Sequence, residues 1–435
     1  MNKFKNSLLA LSTPFGLVLL LTVISFGAAV GVMDGGTLSI KSIFELANYW
    51  YSGMFGLLAF TLQMMMVLSL GYALSVFGPV NRLLVHLSSL PKNLTGGVLS
   101  VASLTMLAGL FNWGFGLVIG AVFSRMVHEA LVSKKLNSNG GLLAASGYLG
   151  MAVWHGGLSG SAPLAVADSG HFLKNQIGII SVDQSIFSEF NFKITGGLVV
   201  VFLLISFFLA KFSTEADSRY PGVSFKPIEL GRQDQLGLIA GFLVLLTLLM
   251  VTFGSEFGFL QRFSLNWVIF LFLGLVLIFY RSVANITESV GQGLKASVDI
   301  FIQFPFYAGI LGILTGSGLI RDFSIFLQTH ADAESFPLIS FSAAALTNLL
   351  VPSGGGQWAI QGQIFMGASQ SFELDLGKMV MVFSFGDQIT NLLQPFWALP
   401  LLSITGVPIR RIFPYTLIYF LGGFCFLLLG IWFWF

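Results

Sequence analysis

Apolar runs alternate with short polar connections along the whole chain, and their lengths predict most of its elements. A helical bilayer crossing needs about 20 apolar residues. Nine runs suit one crossing each, at residues 14–33, 52–77, 141–167, 192–210, 235–253, 264–280, 296–320, 379–402 and 413–435. Two charge-free runs do not, residues 93–124 and 335–372, because each has a polar, glycine-rich middle. Two full crossings and a turn need more than about 40 residues, and neither run is that long. Two half-crossings fit, so each run is expected to be a re-entrant hairpin. In the second, the middle reads Pro352-Ser353-Gly354-Gly355-Gly356-Gln357. Each glycine costs a helix interior about 1 kcal/mol and proline about 3. Backbone opened at membrane depth survives only where protein buries it or where it lines a cavity. This break is therefore expected to hold a small solute.

Charge placement orients the spans. Lysine and arginine gather on the cytoplasmic side. With a cytoplasmic N-terminus and hairpins that return to their own side, only Lys41, Lys174, Lys193, Arg262, Arg321 and Lys378 of the 21 basic residues fall outside. A single crossing by 93–124 would flip everything after it and put most of them outside. The same topology sets two series in opposite orientation: 52–77, the first hairpin, 141–167 and 192–210 against 296–320, the second hairpin, 379–402 and 413–435. Asn112 and Asn348 mark the hairpin tips, and His155 and Asn391 follow them at equal spacing (112 to 155, 348 to 391). Inverted repeats with broken helices near the midplane point to a secondary transporter. The expected fold is an all-α polytopic membrane protein with halves 1–210 and 235–435. They are joined by a cytoplasmic linker, 211–234, too short for a domain and without a nucleotide-binding loop.

Composition agrees: 55% of residues are hydrophobic and 9% charged, against about 25% charged in soluble proteins. A net charge of +2 gives no footing for nucleic acid. The single cysteine, Cys425, rules out an internal disulfide and a cysteine metal site. The N-terminus is basic and then apolar for too long for a signal peptide, so it is expected to be a retained first span.

The runs after each hairpin also look interrupted, by Gly156, Gly157, Gly160 and Pro163 in one and by Pro395 and Pro400 in the other. Half-helix ends thus converge, and helix N-termini favour anions. With Ser, Asn, Gln and Thr as the polar side chains and no arginine in the four runs, one small carboxylate suits such a site better than a phosphate. Ser353, Gln357 and Gln361, with the backbone of Gly354, Gly355 and Gly356, are candidate contacts; so are Asn112, Asn348, Asn391, Ser159 and Ser161. Satisfying freed backbone or packing helices closely are the alternative roles. Asp387 lies deep in its span, where an ionised group is expensive and points to function. It is the leading residue for coupling to Na⁺ or H⁺, with Asn112 and Asn348 as further ion contacts and structural pairing as the alternative. His155 is titratable at similar depth and either pairs with a carboxylate, carries a proton or bonds a serine. Asp299 is expected at the interface. Trp113, Trp154, Trp358 and Trp397 flank the breaks and either wall a compartment or fill space. No other cofactor or metal is implied. Gly157-Leu158-Ser159-Gly160 matches the short pattern of rhomboid-type intramembrane proteases, but the other histidines fall in loops or helix ends, which leaves an enzyme or a channel as the weaker class.

Four segments carry a resemblance: FNWGFGLVIGA from Phe111, WHGGLSGSAPL from Trp154, VPSGGGQWAIQG from Val351 and GDQITNLLQPFWALPLL from Gly386. The chain resembles the short-chain fatty acid transporter family of the AtoE type over most of its length. That resemblance implies uptake of short monocarboxylates such as butyrate or acetoacetate across the bacterial inner membrane. It also implies kinship with the wider ion-transporter superfamily, in which hairpins and broken helices move as an elevator against a homodimeric scaffold. Gln363 departs from the family pattern, which has proline there. A carrier of another small carboxylate or a neutral solute is the nearest alternative.

Overall fold

The computed structural model describes residues 14–33, 39–56, 58–171, 173–213, 235–254, 265–295, 297–350 and 352–435. Most of the expected linker (214–234) and Val351 lie outside the described residues. The described residues are mainly helical. In order the helices are α1 (Pro14–Val32), α2 (Ile40–Gly56), α3 (Leu58–Val76), α4 (Gly78–Ser89), α5 (Leu94–Phe111), α6 (Trp113–Ser133), α7 (Gly140–Gly147), α8 (Ser161–Ala167), α9 (Lys174–Ile177) and α10 (Glu189–Lys211). After the linker come α11 (Leu236–Gly254), α12 (Leu265–Tyr280), α13 (Val283–Lys295), α14 (Val298–Gly316), α15 (Leu319–Thr329), α16 (Phe336–Leu350), α17 (Gly354–Ser371), α18 (Leu376–Thr390), α19 (Pro395–Thr405) and α20 (Ile409–Trp434). Among the described residues seven helical stretches are long and apolar enough to cross a bilayer, against nine expected spans. Two of the seven, α5 and α6, are the arms of the first expected hairpin, each long enough to cross by itself where a half-crossing was expected, and four of the nine expected spans are not among the seven. Residues 141–167 divide into α7, two short 3₁₀ turns (Leu149–Ala152 and Trp154–Gly156) and α8, and residues 379–402 divide at Asn391–Leu393. Residues 264–280 and 14–33 form shorter apolar helices.

Both expected hairpins are antiparallel helix pairs. In the first, α5 packs on α6 so closely that a Cβ on Gly116 would lie 2.6 Å from the Gly109 Cα. Thr105 donates to the Gly116 carbonyl at 3.2 Å and to the Gly147 carbonyl at 2.9 Å. The second arm, however, continues to Ser133, past the expected end at 124. Arg125 and His128, which mark the end of the apolar run in the sequence, are buried inside the helix. They stay there because they have partners. Arg125 donates to Glu129 and, at 2.7 Å, to the carbonyl of Thr405 at the end of α19, and His128 meets Ser138 at 2.8 Å. Arg125→Leu leaves that carbonyl without its charged donor, a loss of about 1.5–3 kcal/mol. A lower melting temperature in detergent micelles checks this.

In the second hairpin α16 and α17 are held by side chains. Gln357 donates to the Ala344 carbonyl at 2.8 Å and to Gln361 at 2.9 Å, and Gln361 donates to Thr347 at 2.9 Å. Phe336 packs edge-on to Phe365. Outside the hairpins, α2 and α14 cross at glycines: a Cβ on Gly53 would lie 2.6 Å from the Ala308 carbonyl. Such small-residue contacts draw apolar helices together where water does not drive association. Helix α11 turns Phe242, Leu243, Leu246, Leu249 and Met250 outward, a surface suited to lipid.

Candidate functional site

The glycine-rich break is shorter than its sequence suggests. Gly354, Gly355 and Gly356 form the first turn of α17, and the interruption narrows to the residues before Gly354. Ser353 caps the helix by accepting from the Gly356 N–H at 3.2 Å. The first hairpin turns on one residue, Asn112. It closes α5 and caps α6 by accepting from Gly114 and Phe115 N–H at 3.0 and 3.1 Å. Asn112 is therefore a local cap in this structure. Asn348 is not: its amide nitrogen donates to the Asp387 carbonyl at 2.6 Å, to Thr390 at 2.9 Å and to Asn391 at 3.0 Å.

Those bonds pin the second hairpin to the break in α18–α19. Asn391 donates to the Met151 carbonyl at 3.0 Å, which reaches the other broken segment. Tyr148 donates to the Asn391 carbonyl at 2.8 Å, and Gln394 donates to the Asn348 carbonyl. At the centre His155 Nε2 lies 3.2 Å from Asp387 Oδ2, with side chains 0% and 1% exposed. Gly354 closes over the pair: a Cβ there would sit 2.8 Å from both atoms. Ser161 contributes its backbone N–H, which donates to His155 Nδ1 at 3.2 Å. The His155 N–H donates to Gln388 at 3.0 Å.

The first hairpin meets the other break. Leu158 N–H donates to the Leu110 carbonyl at 2.7 Å, and Trp113 N–H donates to Ser159 Oγ at 3.0 Å. Ser159 is thus engaged with a backbone N–H, and both nitrogens of His155 face other groups, so the serine–histidine pair of a protease is not assembled. Trp113, Trp154 and Trp397 cluster, with ring centroids 6.0 and 5.3 Å apart. Trp358 goes elsewhere, against Phe383 inside the second hairpin at 5.0 Å, where it fills space. Gln357 and Gln361 are buried between the hairpin arms, and Gly355 faces open space. A mainly apolar cavity of about 480 Å³ opens beside the first break, lined by Leu110, Phe111, Gly156, Gly157, Leu158, Asn191 and Thr195 among others. The exposed Asp299 accepts from the half-buried Ser403 at 3.3 Å and lies away from this centre.

Sequence reasoning missed Gln388, Thr390 and Gln394. They lie in the quoted GDQITNLLQP segment beside Asp387, and their polarity in an apolar run was the available signal. The buried side-chain atoms at the centre that make no hydrogen bond include Gln388 Nε2, Gln394 Oε1 and Asn348 Oδ1 beside His155 Nε2 and Asp387 Oδ2.

Apolar helices, two hairpin tips and two broken segments around a buried polar centre define a multi-pass helical membrane protein. The chain belongs to the short chain fatty acid transporter family, whose model matches residues 5–221 and 227–434. It is therefore a transporter and not an enzyme. Two bacterial relatives named for short-chain fatty acid transport align over 421 residues each. The Escherichia coli (strain K12) protein is 34% identical over 94% of this chain and 92% of its own length. The Haemophilus influenzae protein is 32% identical over 92% of both. Among solved structures, the Neisseria gonorrhoeae antimetabolite efflux pump MtrF is similar at a TM-score of 0.43 and 14% identity, covering 97% of this chain and 95% of its own. The Alcanivorax borkumensis transporter YdaH is similar at a TM-score of 0.46 and 15% identity, covering 96% and 98%.

Proposed function

We propose that this protein is a secondary active carrier of short-chain fatty acid anions, of the butyrate and acetoacetate class, in the bacterial inner membrane. The observation that supports it best is the junction at Gly354, where a capped helix N-terminus meets a buried carboxylate inside a family of transporters. Such an end carries about half a positive charge and suits one carboxylate. The substrate site in this reading comprises Asn112, Trp113, His155, Ser159, Ser161, Asn348, Asn391, Ser353, the Gly354–Gly356 backbone, Gln357 and Gln361. The neighbouring apolar cavity would take the aliphatic tail. Asp387 couples transport to a cation gradient, Na⁺ or H⁺. The two halves, 1–210 and 235–435, act as inverted repeats with nine spans and two re-entrant hairpins. They move as an elevator within a homodimer whose N-termini are cytoplasmic, and they give alternating access to one site. These acids are anions at neutral pH, their carboxyl groups titrating near ~4, and so need a carrier.

Counterflow tests the reading. In proteoliposomes preloaded with unlabelled butyrate, labelled butyrate is expected to overshoot its equilibrium level transiently and saturably. Flux indifferent to the substrate on the far side would identify a channel instead.

A further inference from the structure

The pair under the hairpin tip has a fixed proton arrangement. Ser161 N–H donates to His155 Nδ1, so that nitrogen is an acceptor and the neutral ring carries its hydrogen on Nε2. Nε2 faces Asp387 Oδ2 at 3.2 Å. Trp154 holds the ring in place, its centroid 3.7 Å from that of the imidazole. Neither Nε2 nor Oδ2 completes a well-aligned hydrogen bond, and both are aimed at the first residue of α17. Asn348, on the other arm, holds the Asp387 carbonyl. Both arms of the hairpin therefore grip one residue.

Among the described residues, the elements packed on α18 bring no other charged side chain to the pair. Helices α8, α16 and α17, which pack on α18, contain none. On α10 the charged residues are Glu189, Lys193 and Lys211, and on α20 Arg410 and Arg411, all near helix ends. Lys378 lies in the opposite end of α18, and Asp375 caps that end. The Tyr148 hydroxyl is bonded to the Asn391 and Gln394 carbonyls, Tyr419 is bonded to Ser146 and Ser206, and Tyr415 accepts from Asn139.

We infer that the coupling ion is a proton carried on the Asp387 carboxylate, and that the N-terminus of α17 is offered alternately to this carboxylate and to the substrate's. The inference rests on the carrier function proposed above. While Asp387 is ionised, its negative charge holds the positive end of α17 over the pair. A proton from the outer water then bonds to a carboxylate oxygen. The charge is gone, the helix end is released, and the substrate carboxylate takes its place. On the inner side the proton leaves, Asp387 regains its charge and displaces the substrate. No bond in the substrate forms or breaks. One anion and one proton cross together, and no net charge moves. A metal cation at Oδ2 would instead have to displace the imidazole N–H that faces it. His155 is a positioning residue here, because a second proton at Nδ1 would break its bond from Ser161.

The test uses the full-length protein in proteoliposomes, with labelled acetoacetate as probe and protein-free vesicles as the blank. An inward gradient of one pH unit is expected to raise the initial uptake rate several-fold, with about tenfold, the ratio of proton activities, as the ceiling. Replacing Na⁺ by choline, or imposing a membrane potential of either sign, should change that rate little. Asp387→Asn should flatten the pH dependence of counterflow. His155→Gln keeps a donor toward Asp387 and should retain proton-driven uptake with a displaced pH profile, whereas His155→Leu should lose it. Uptake that requires Na⁺ and ignores the pH gradient, or wild-type pH dependence in Asp387→Asn, overturns the inference and leaves the carrier reading intact. Absence of any counterflow in the wild type would overturn both.

Discussion

Gly354→Ala is expected to lower carrier-mediated uptake by roughly 5- to 150-fold, while Gly355→Ala, one residue on, leaves it within about twofold. A methyl on Gly354 would sit 2.8 Å from both His155 Nε2 and Asp387 Oδ2. Neither neighbour can easily give way. The imidazole lies against Trp154 at 3.7 Å between ring centroids and accepts from the Ser161 N–H, and the His155 backbone N–H donates to Gln388. Overpacking of this kind costs about 1–3 kcal/mol, and every 1.4 kcal/mol changes the docked-to-undocked ratio tenfold. A Cβ on Gly355 meets nothing within 4 Å, and alanine gains up to about 1 kcal/mol of helix propensity over glycine. The adjacent substitutions therefore separate close approach from backbone flexibility. Counterflow rates, paired with melting temperatures to exclude global unfolding, give the measurement. Equal losses at both positions would show that the tip needs flexible glycine in general and not contact at Gly354.

The sequence announced the two breaks in the charge-free runs and the two interrupted helices because their signals are local. Proline, serine and glycine in charge-free runs conflict with a continuous span, and the chain does break at Asn112 and just before Gly354. What the glycines do there was not legible. Their number suggested an opened loop, whereas Gly354 is needed at a helix start for contact with residues distant in sequence. Polarity misled at Arg125, which ended the predicted arm but lies buried in α6 because Glu129 and the Thr405 carbonyl accept from it. Helix α2 escaped notice for a similar reason: Lys41 and Glu45 mask an apolar face, and glycines then press that helix against α14. His155 and Asp387 both stood out as titratable groups at depth. Their meeting depends on tertiary folding across the two halves of the chain, and no spacing rule encodes it. Asn112 and Asn348 occupy matching positions in the pattern yet differ in role, one capping its own helix and the other bridging to α18.

Gly157→Ala is expected to be the most damaging single methyl at the first break, removing transport and lowering stability by about 3 kcal/mol. A Cβ at Gly157 would overlap the carbonyl oxygen of Leu110 and lie 2.6 Å from its carbonyl carbon. These are backbone atoms near the end of α5, so no side-chain rotation relieves the clash. Separation of the two strands of backbone would break the Leu158 N–H bond to Leu110 and draw Ser159 away from the Trp113 N–H. Both donors are buried or half-buried, and leaving such a group unpaired costs about 1–3 kcal/mol. That loss adds to the overpacking strain. Gly196 is the stability control: it lines the same cavity and a Cβ there meets nothing within 4 Å, so Gly196→Ala should melt like the wild type. The first hairpin thus depends on backbone contact at Gly157, as the second depends on a backbone approach to a charged pair at Gly354. If Gly157→Ala retained uptake while Gly354→Ala lost it, the first hairpin would be a fixed wall and the second the moving gate.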